Sequence, residues 1–356
     1  MKTRSRHIGK RLLRNKGALF GLIVISASIL IAIFAYFLAP DDSPDANRII
    51  VEIGGRPPGV RQFFLLLKKE RQPSPAGFFR RLLIGREDRY DYIPINSIIA
   101  KGDSVIVQKY VDEGVQERRA YPQSAIAPNR TKTVTFWLGT DKYGRDILSR
   151  LLIGVRVSLA VGGVTVLLSL SVGVLLGALA GYFRGRTDEI ILWLINVVWS
   201  IPTLLLVFAI MLLLGKGFWQ VFIAIGLTLW VNVARIVRGQ VLAIREREFV
   251  EAARALGYSH PRILFRHILP NVMGPVWVVA ASNFASAIVI EAGLSFLGVG
   301  VQPPQPSWGL MIKENYNFII THNPMLALAP GFAIMLLVLA FNLLGNSLRD
   351  ILNVRV

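Results

Sequence analysis

The chain contains no cysteine, which excludes disulfides and cysteine-ligated metal sites but says nothing more about compartment. Charge is scarce as well. Asp, Glu, Lys and Arg make up 17% of the 356 residues, where ordinary soluble domains carry roughly 25%. The four histidines, His7, His260, His267 and His322, show no HExxH spacing, so a zinc-protease ligand pair is excluded. No G-x-x-x-x-G-K-[ST] occurs: Gly215–Lys216 lacks both the upstream glycine and the following hydroxyl. G-x-S-x-G is missing too, and no pair of carboxylates lies within the apolar runs. From these motifs no catalytic residue, metal site or cofactor site is expected in the chain.

What is present is apolar sequence, 53% of the residues. Residues 17–39, 158–181, 190–214 and 323–348 each lack any Asp, Glu, Lys or Arg. Two further runs, 217–234 and 268–290, end at Arg235 and Glu291. Crossing ~30 Å of hydrocarbon takes about 20 apolar residues, and six such runs are more than buried core helices account for. The fold class expected is an all-α polytopic membrane protein with six transmembrane helices. Both termini are expected inside, with a small α/β or β-rich extracytoplasmic insert between the first two spans. The first run is read as an uncleaved anchor. Its uncharged length exceeds the ~7–15 residues of a signal h-region, and no small-x-small cleavage site closes it.

The net charge of +18 at first suggests nucleic acid, but its distribution argues for the bilayer. The pieces expected inside, 1–16, 182–189, 235–270 and 349–356, hold 18 basic and 6 acidic residues in 68 positions. The 117 positions of 40–156 hold 20 basic and 14 acidic. Short basic loops stay inside, whereas long translocated segments are largely exempt from that rule. No nucleic-acid partner is therefore called for. The domain reading is 1–39 as tail and first span, 40–155 as extracytoplasmic insert, 156–348 as a core of five transmembrane helices with a loop at 244–270, and 349–356 as cytoplasmic C-terminus.

Within the insert, Asp41–Ala46 reads as a turn-rich exit. Arg61–Arg81 mixes Phe and Leu with six basic residues, as in an amphipathic segment at a membrane surface. The alternation in 93–111 around Gly102–Asp103 predicts a β-hairpin. Gly173, Gly177 and Gly181 stand four apart, the spacing that lets membrane helices approach closely. Pro202 is expected to kink the third span. Thr140–Asp141 and Gly144–Arg145–Asp146 are read as caps of a surface helix, and Trp308 with Pro303–Pro306 as shaping an external re-entrant loop. Glu291, the one acidic residue bordering a span, is costly against lipid and is expected to face the bundle or a translocation path. It serves there either as a structural hydrogen-bond or ion-pair partner or as a cargo contact. A proton-driven carrier usually needs several intramembrane ionisable groups, so any uphill transport draws its energy from another subunit.

The stretch EFVEAARALGYSHPRILFRHILP (248–270) departs from the greasy background. Residues 247–256 favour helix, with Glu251 spaced to pair with Arg247 or Arg254. Gly257 permits a turn at φ > 0. Ser259 suits an N-cap, Pro261 suits the first turn that follows, and Pro270 is expected to interrupt the chain before the fifth span. Ala252, Ala253 and Ala255 leave a low-profile surface suited to a groove on a cytosolic partner.

Glu251-Ala252-Ala253, Gly257 and Leu269-Pro270 resemble the EAA loop of ABC-importer permeases. His267 stands where the family's general pattern has Ile. RHILPN is similar to the peptide and nickel branch, as are 137–159, 291–312 and 346–356, the last with Asn353–Val354 where Asp–Pro or Asn–Pro is usual. The resemblance is close over 137–356 and loose over 1–39. It implies a non-catalytic permease subunit of an importer, for di- or oligopeptides or alternatively nickel or another small solute. It also implies a homologous second permease, two cytoplasmic ATPases holding the ATP and Mg, and an extracytoplasmic solute-binding protein. Glu251, Ala252, Ala253, Gly257, Leu269 and Pro270 would then form the ATPase-docking loop. The competing class is a transporter or channel that works without ATPases, and a weaker alternative is a membrane-anchored sensor with 40–136 as its ligand domain.

Overall fold

The structure is a computed structural model that describes residues 11–101, 103–319 and 323–352. His7, His322, Gly102 and the Asn353–Val354 pair lie outside the described residues. In chain order, α1 (Lys16–Leu38) leads to β1 (Val60–Lys68), α2 (Phe78–Ile84), β2 (Tyr90–Lys101), β3 (Ser104–Asp112), β4 (Val115–Pro122) and β5 (Ile126–Phe136). Then follow α3 (Ile147–Phe183), α4 (Gly185–Ser200), α5 (Thr203–Leu214), α6 (Phe218–Arg245), α7 (Glu248–Ala255), α8 (His260–Ile263), α9 (Leu269–Leu297), α10 (Trp308–Asn315) and α11 (Met325–Leu352). The chain divides into two units. One holds the described parts of Met1–Ser28, Ser158–Gln302 and Ile334–Val356, the other Ile29–Val157 and Pro303–Ala333.

Among the described residues, five helical runs are long and apolar enough to cross a membrane: α1, α3, α6, His260–Leu297 and α11. A sixth crossing exists only if α4 and α5 are taken together, and they are bent by 93°. The kink expected at Pro202 is thus a break. Proline has no N–H to continue the ladder and drives the preceding residue out of the helical region. Ile201 accordingly sits at φ −94°, ψ 129°, and Pro202 at φ −54°, ψ 126° starts α5 as its cap.

Two boundaries in the first unit also differ from expectation. The helix that carries the fourth run does not stop at Arg235: α6 runs on to Arg245 because Val237 and Val241, one helical turn apart, are buried against Val250, Ile263 and Ile268. Pro270 does not interrupt the fifth span. It occupies the first turn of α9, and a π-helical turn at Leu264–Ile268 joins α8 to α9. Such a turn shifts the hydrogen-bond ladder by one residue, which accommodates an imino nitrogen within one continuous helix.

The glycine triplet packs α3 against α6. A Cβ on Gly173 would lie 2.5 Å from Val233 Cβ and 2.7 Å from the Trp230 carbonyl oxygen. One on Gly181 would lie 2.8 Å from the Arg238 carbonyl oxygen. Without side chains at these positions the two backbones meet, and dispersion and polar contacts replace a hydrophobic drive that lipid cannot supply. Asn283 on α9 joins the same bundle, its amide donating to Ser169 Oγ and to the Leu229 carbonyl, both at 3.4 Å.

In the second unit the strands form one antiparallel sheet in the order β4-β3-β2-β1-β5. The expected hairpin is present, with Lys101 paired to Ser104 across β2 and β3. Of Arg61–Arg81 only Phe78–Arg81 is helical, as the first part of α2. Arg61–Lys68 is the inner strand β1, because the continuous run Phe63–Leu67 buries side chains on both faces. Phe64 joins Ile50, Ile53 and Phe136, while Leu65 joins Ile95, Val105 and Val107. A short apolar run is equally compatible with a buried strand or a buried helix.

Thr140, Asp141, Arg145 and Asp146 are buried and are not surface features, whereas Lys142 and Tyr143 between them are exposed. Asp146 does cap α3, accepting from Ser149 N at 2.9 Å, and burial pushes its carboxyl up to about 6. Arg145 is buried between Asp141 and Glu314, 2.6 Å from each. Trp308 is also buried, its indole N–H donating to the Leu151 carbonyl at 3.1 Å.

Candidate functional site

The loop between α6 and α9 is built as a rigid hook. At its near end Arg247 N bonds the Ile244 carbonyl at 3.1 Å, and α7 starts at once. Val250 and Ala253, three residues apart on α7, are buried against α6, α8 and the π turn. The opposite face is open: Glu248, Phe249, Glu251, Ala252, Ala255 and Leu256 are exposed.

The far end of α7 closes by a Schellman arrangement. Gly257 N bonds the Arg254 carbonyl at 2.9 Å, and Tyr258 N reaches back to the Ala253 carbonyl at 3.1 Å. These are the two bonds of that motif, whose C′ residue must be left-handed. Gly257 has φ +76°, and an added Cβ would meet nothing within 4 Å. Its role is therefore purely conformational.

Sequence-derived positions separate here. Glu251 and Ala252 lie on the open face and Gly257 in the turn. Ala253 is a correction, because it is buried at 4% exposure and serves as the packing contact of α7. Leu269 is partly buried on the same core, and Pro270 is exposed in the first turn of α9. Among the described residues Glu251 makes neither of its expected ion pairs. Ser259 holds the N-cap position of α8 without a side-chain cap bond.

Three contacts that spacing alone does not reveal brace the hook and the end of α6 from which it leaves. Arg184 pairs with Glu246 at 2.6 Å. Arg238 grips Asp188 through two nitrogens, at 2.5 and 2.7 Å, as a bidentate guanidinium does. Tyr182, buried at the end of α3, hydrogen-bonds His260 Nδ1 at 2.8 Å. Each joins residues more than 45 positions apart. Phe249 at 45% exposure and Leu256 at 72% add large apolar contacts to the alanine surface.

Glu291 lies elsewhere on α9 and is buried at 1% exposure. Its Oε1 accepts from Ser295 Oγ at 2.6 Å, and that hydroxyl in turn accepts from Val301 N at 3.0 Å. The chain of bonds ties α9 to the turn beyond it. Glu291→Gln keeps the acceptor, so the thermal midpoint of the purified protein is expected to stay near that of the parent. Glu291→Leu leaves a buried hydroxyl without its acceptor, a cost of about 1–3 kcal/mol, and the midpoint is expected to fall. Equal midpoints for the two variants would remove the hydrogen bond from its structural role.

The model of the family described as "Binding-protein-dependent transport system inner membrane component" matches residues 173–356, just over half of the chain and the whole of the hook. The chain belongs to this family. A second family, "N-terminal TM domain of oligopeptide transport permease C", matches 3–52. The oligopeptide transport system permease protein OppC of Bacillus subtilis is 41% identical over 61% of this chain and 71% of its own length. The glutathione transport system permease protein GsiD of Pectobacterium atrosepticum is 41% identical over 63% and 74%. The dipeptide transport system permease protein DppC of Alkalihalophilus pseudofirmus is 42% identical over 61% and 71%. The chain is thus a permease component of the binding-protein-dependent class, a multi-pass inner membrane protein and not an enzyme. Residues 53–172, which include the whole sheet, lie between the two family matches.

Proposed function

We propose that this permease carries di- or oligopeptides across the inner membrane, powered by two separate ATPase subunits and fed by an extracytoplasmic solute-binding protein. Its α7 hook is the lever the ATPases grip, and the pathway runs between this chain and a homologous second permease. ATP and Mg are held by the ATPases. The observation that carries the reading is the hook itself: a braced helix with an open face of small residues lies within the segment matched to the transport family. The names of the three relatives above support peptide-type cargo. The test is uptake of labelled di- and oligopeptides by cells with and without the gene, with glutathione and nickel as competitors. Loss of nickel uptake alone on deletion would replace the cargo.

In this reading α4 and α5 together make the sixth crossing, both termini are inside and 40–155 lies outside. The charge partition and the positive-inside rule support it. Because the chain lacks cysteine, single cysteines report sidedness without background. Ser104→Cys in β3 is expected to react with an impermeant maleimide in spheroplasts, and Glu246→Cys only after lysis. The reverse pattern would invert the topology.

A further inference from the structure

Helix α2 buries none of its residues, although five of its seven are large and apolar, and four of those are exposed. Phe78 is 61% exposed, Phe79 75%, Leu83 62% and Ile84 56%. A contiguous cluster of this kind marks an interaction surface, whereas single exposed apolar residues do not. The helix is firmly mounted all the same. Arg81 pairs with Asp42 at 3.2 Å, and its guanidinium lies 4.5 Å from the centre of the Phe37 ring. Arg86 N bonds the Asp42 carbonyl at 2.8 Å. Arg156 on α3 donates to the Leu83 carbonyl at 2.9 Å, satisfying an open helix end. Gly85 makes the close approach possible: it has φ +91°, and a Cβ there would lie 2.6 Å from the Asp42 carbonyl oxygen and 2.8 Å from the Tyr36 ring.

The mount fixes where the apolar face lies. Phe37 is the penultimate residue of α1, and its ring centre is 5.6 Å from that of Phe78. The last turns of α1 are themselves apolar and open, with Leu30, Ile33, Phe34 and Leu38 exposed. In a membrane-crossing helix that open surface faces hydrocarbon. The exposed face of α2 therefore continues a lipid-facing surface at the level where a span ends. Its polar residues are Arg80 and Arg81, with Arg86 just beyond. Arg80 and Arg86 each meet one carboxylate, at 3.3 and 3.4 Å, and remain more than half exposed. A guanidinium has five donors, so both retain donors for phosphate.

We propose that α2 is an interfacial anchor, seated in the headgroup and acyl boundary of the leaflet at the Leu38 end of α1. Phe78, Phe79, Leu83 and Ile84 enter the acyl region, and Arg80 and Arg86 meet lipid phosphates. The sheet that follows α2 in the chain is thereby tethered to the bilayer at a second point besides the spans. Arg80 is spaced three and four residues from Leu83 and Ile84 and so lies on their side of the helix; its stem can stay in the apolar region while the guanidinium reaches the phosphates.

The test uses the full chain in phosphatidylcholine–phosphatidylglycerol vesicles. Spin labels are placed singly at Phe79→Cys, Leu83→Cys and, as a reference on the exposed strand β4, Glu117→Cys. The chain has no cysteine of its own. Collision rates with oxygen, which partitions into lipid, and with a water-soluble nickel chelate report the surroundings of each label. The expected result is an oxygen-to-nickel ratio several-fold higher at 79 and 83 than at 117. A ratio at 79 and 83 equal to that at 117 would overturn the anchor by placing α2 in water. Low collision rates with both reagents at 79 and 83 would overturn it in favour of a covering protein. All three positions are exposed, so labelling leaves the packed sheet intact.

Discussion

Gly257→Pro is expected to abolish transport and transport-stimulated ATP hydrolysis while leaving the protein in the membrane at its normal level. Proline removes the N–H that bonds the Arg254 carbonyl at 2.9 Å and fixes φ near −65°, where the turn needs +76°. The α7 helix loses its closure, and the chain leaves it in another direction. The spans are untouched, because the turn lies outside every membrane-crossing run. A graded series separates conformation from contact. Gly257→Val must adopt a left-handed conformation at about 1–2 kcal/mol and should be impaired. Gly257→Asn tolerates that region and should retain most activity, since no neighbouring atom opposes a side chain. Glu251→Lys changes only the open face, so it should lower coupling without altering thermal stability. Measurements on the complex reconstituted with its ATPases decide the matter. Normal coupled hydrolysis in Gly257→Pro would remove the hook from its assigned role.

How much of this was legible in the sequence follows from what each residue depends on. Apolar run length is a local property: α1 and α11 lie where uncharged residues predict them, and α3 contains the run 158–181 but begins earlier, at Ile147. Gly257 was legible because φ > 0 is a demand on one residue. The alanine surface was legible only in part. Ala252 and Ala253 are chemically identical neighbours, and only the 100° step between them decides that one is open and the other buried under α7. That the helix of the fourth run continues past Arg235 is not visible in the run itself, which ends there. The charges of Arg235 and Arg238 are accommodated by partners far along the chain, with Arg238 on Asp188 and Arg235 stacked 3.3 Å from the centre of the Trp199 ring. Residues 61–68 form a strand that the sequence does not announce, since an apolar run lacks the alternation that separates strand from helix. The Arg145–Glu314 pair spans 169 positions and leaves no local signal.

A side chain at Gly177 is expected to prevent the bundle from forming at all. An added Cβ falls on the Ala234 carbonyl oxygen, closer than any ordinary contact, and would lie 2.9 Å from Val237 Cβ. The obstacle is helix backbone, which no rotamer change can move. Gly173 and Gly181 meet α6 in the same manner one turn away on either side, so α6 cannot tilt off one glycine without losing the other two. Overpacking a well-filled core costs about 1–3 kcal/mol even where side chains give way, and here they cannot. Gly177→Val should therefore yield protein that is degraded or aggregates on extraction, with no monodisperse peak in size-exclusion chromatography. Gly163→Val provides the control: it also lies on α3, but a Cβ there meets nothing within 4 Å, and this variant should behave as the parent does. The contrast separates close packing from the helix propensity of valine, which is the same at both sites. A stable Gly177→Val with native mobility on the column would mean that α3 and α6 do not meet backbone to backbone.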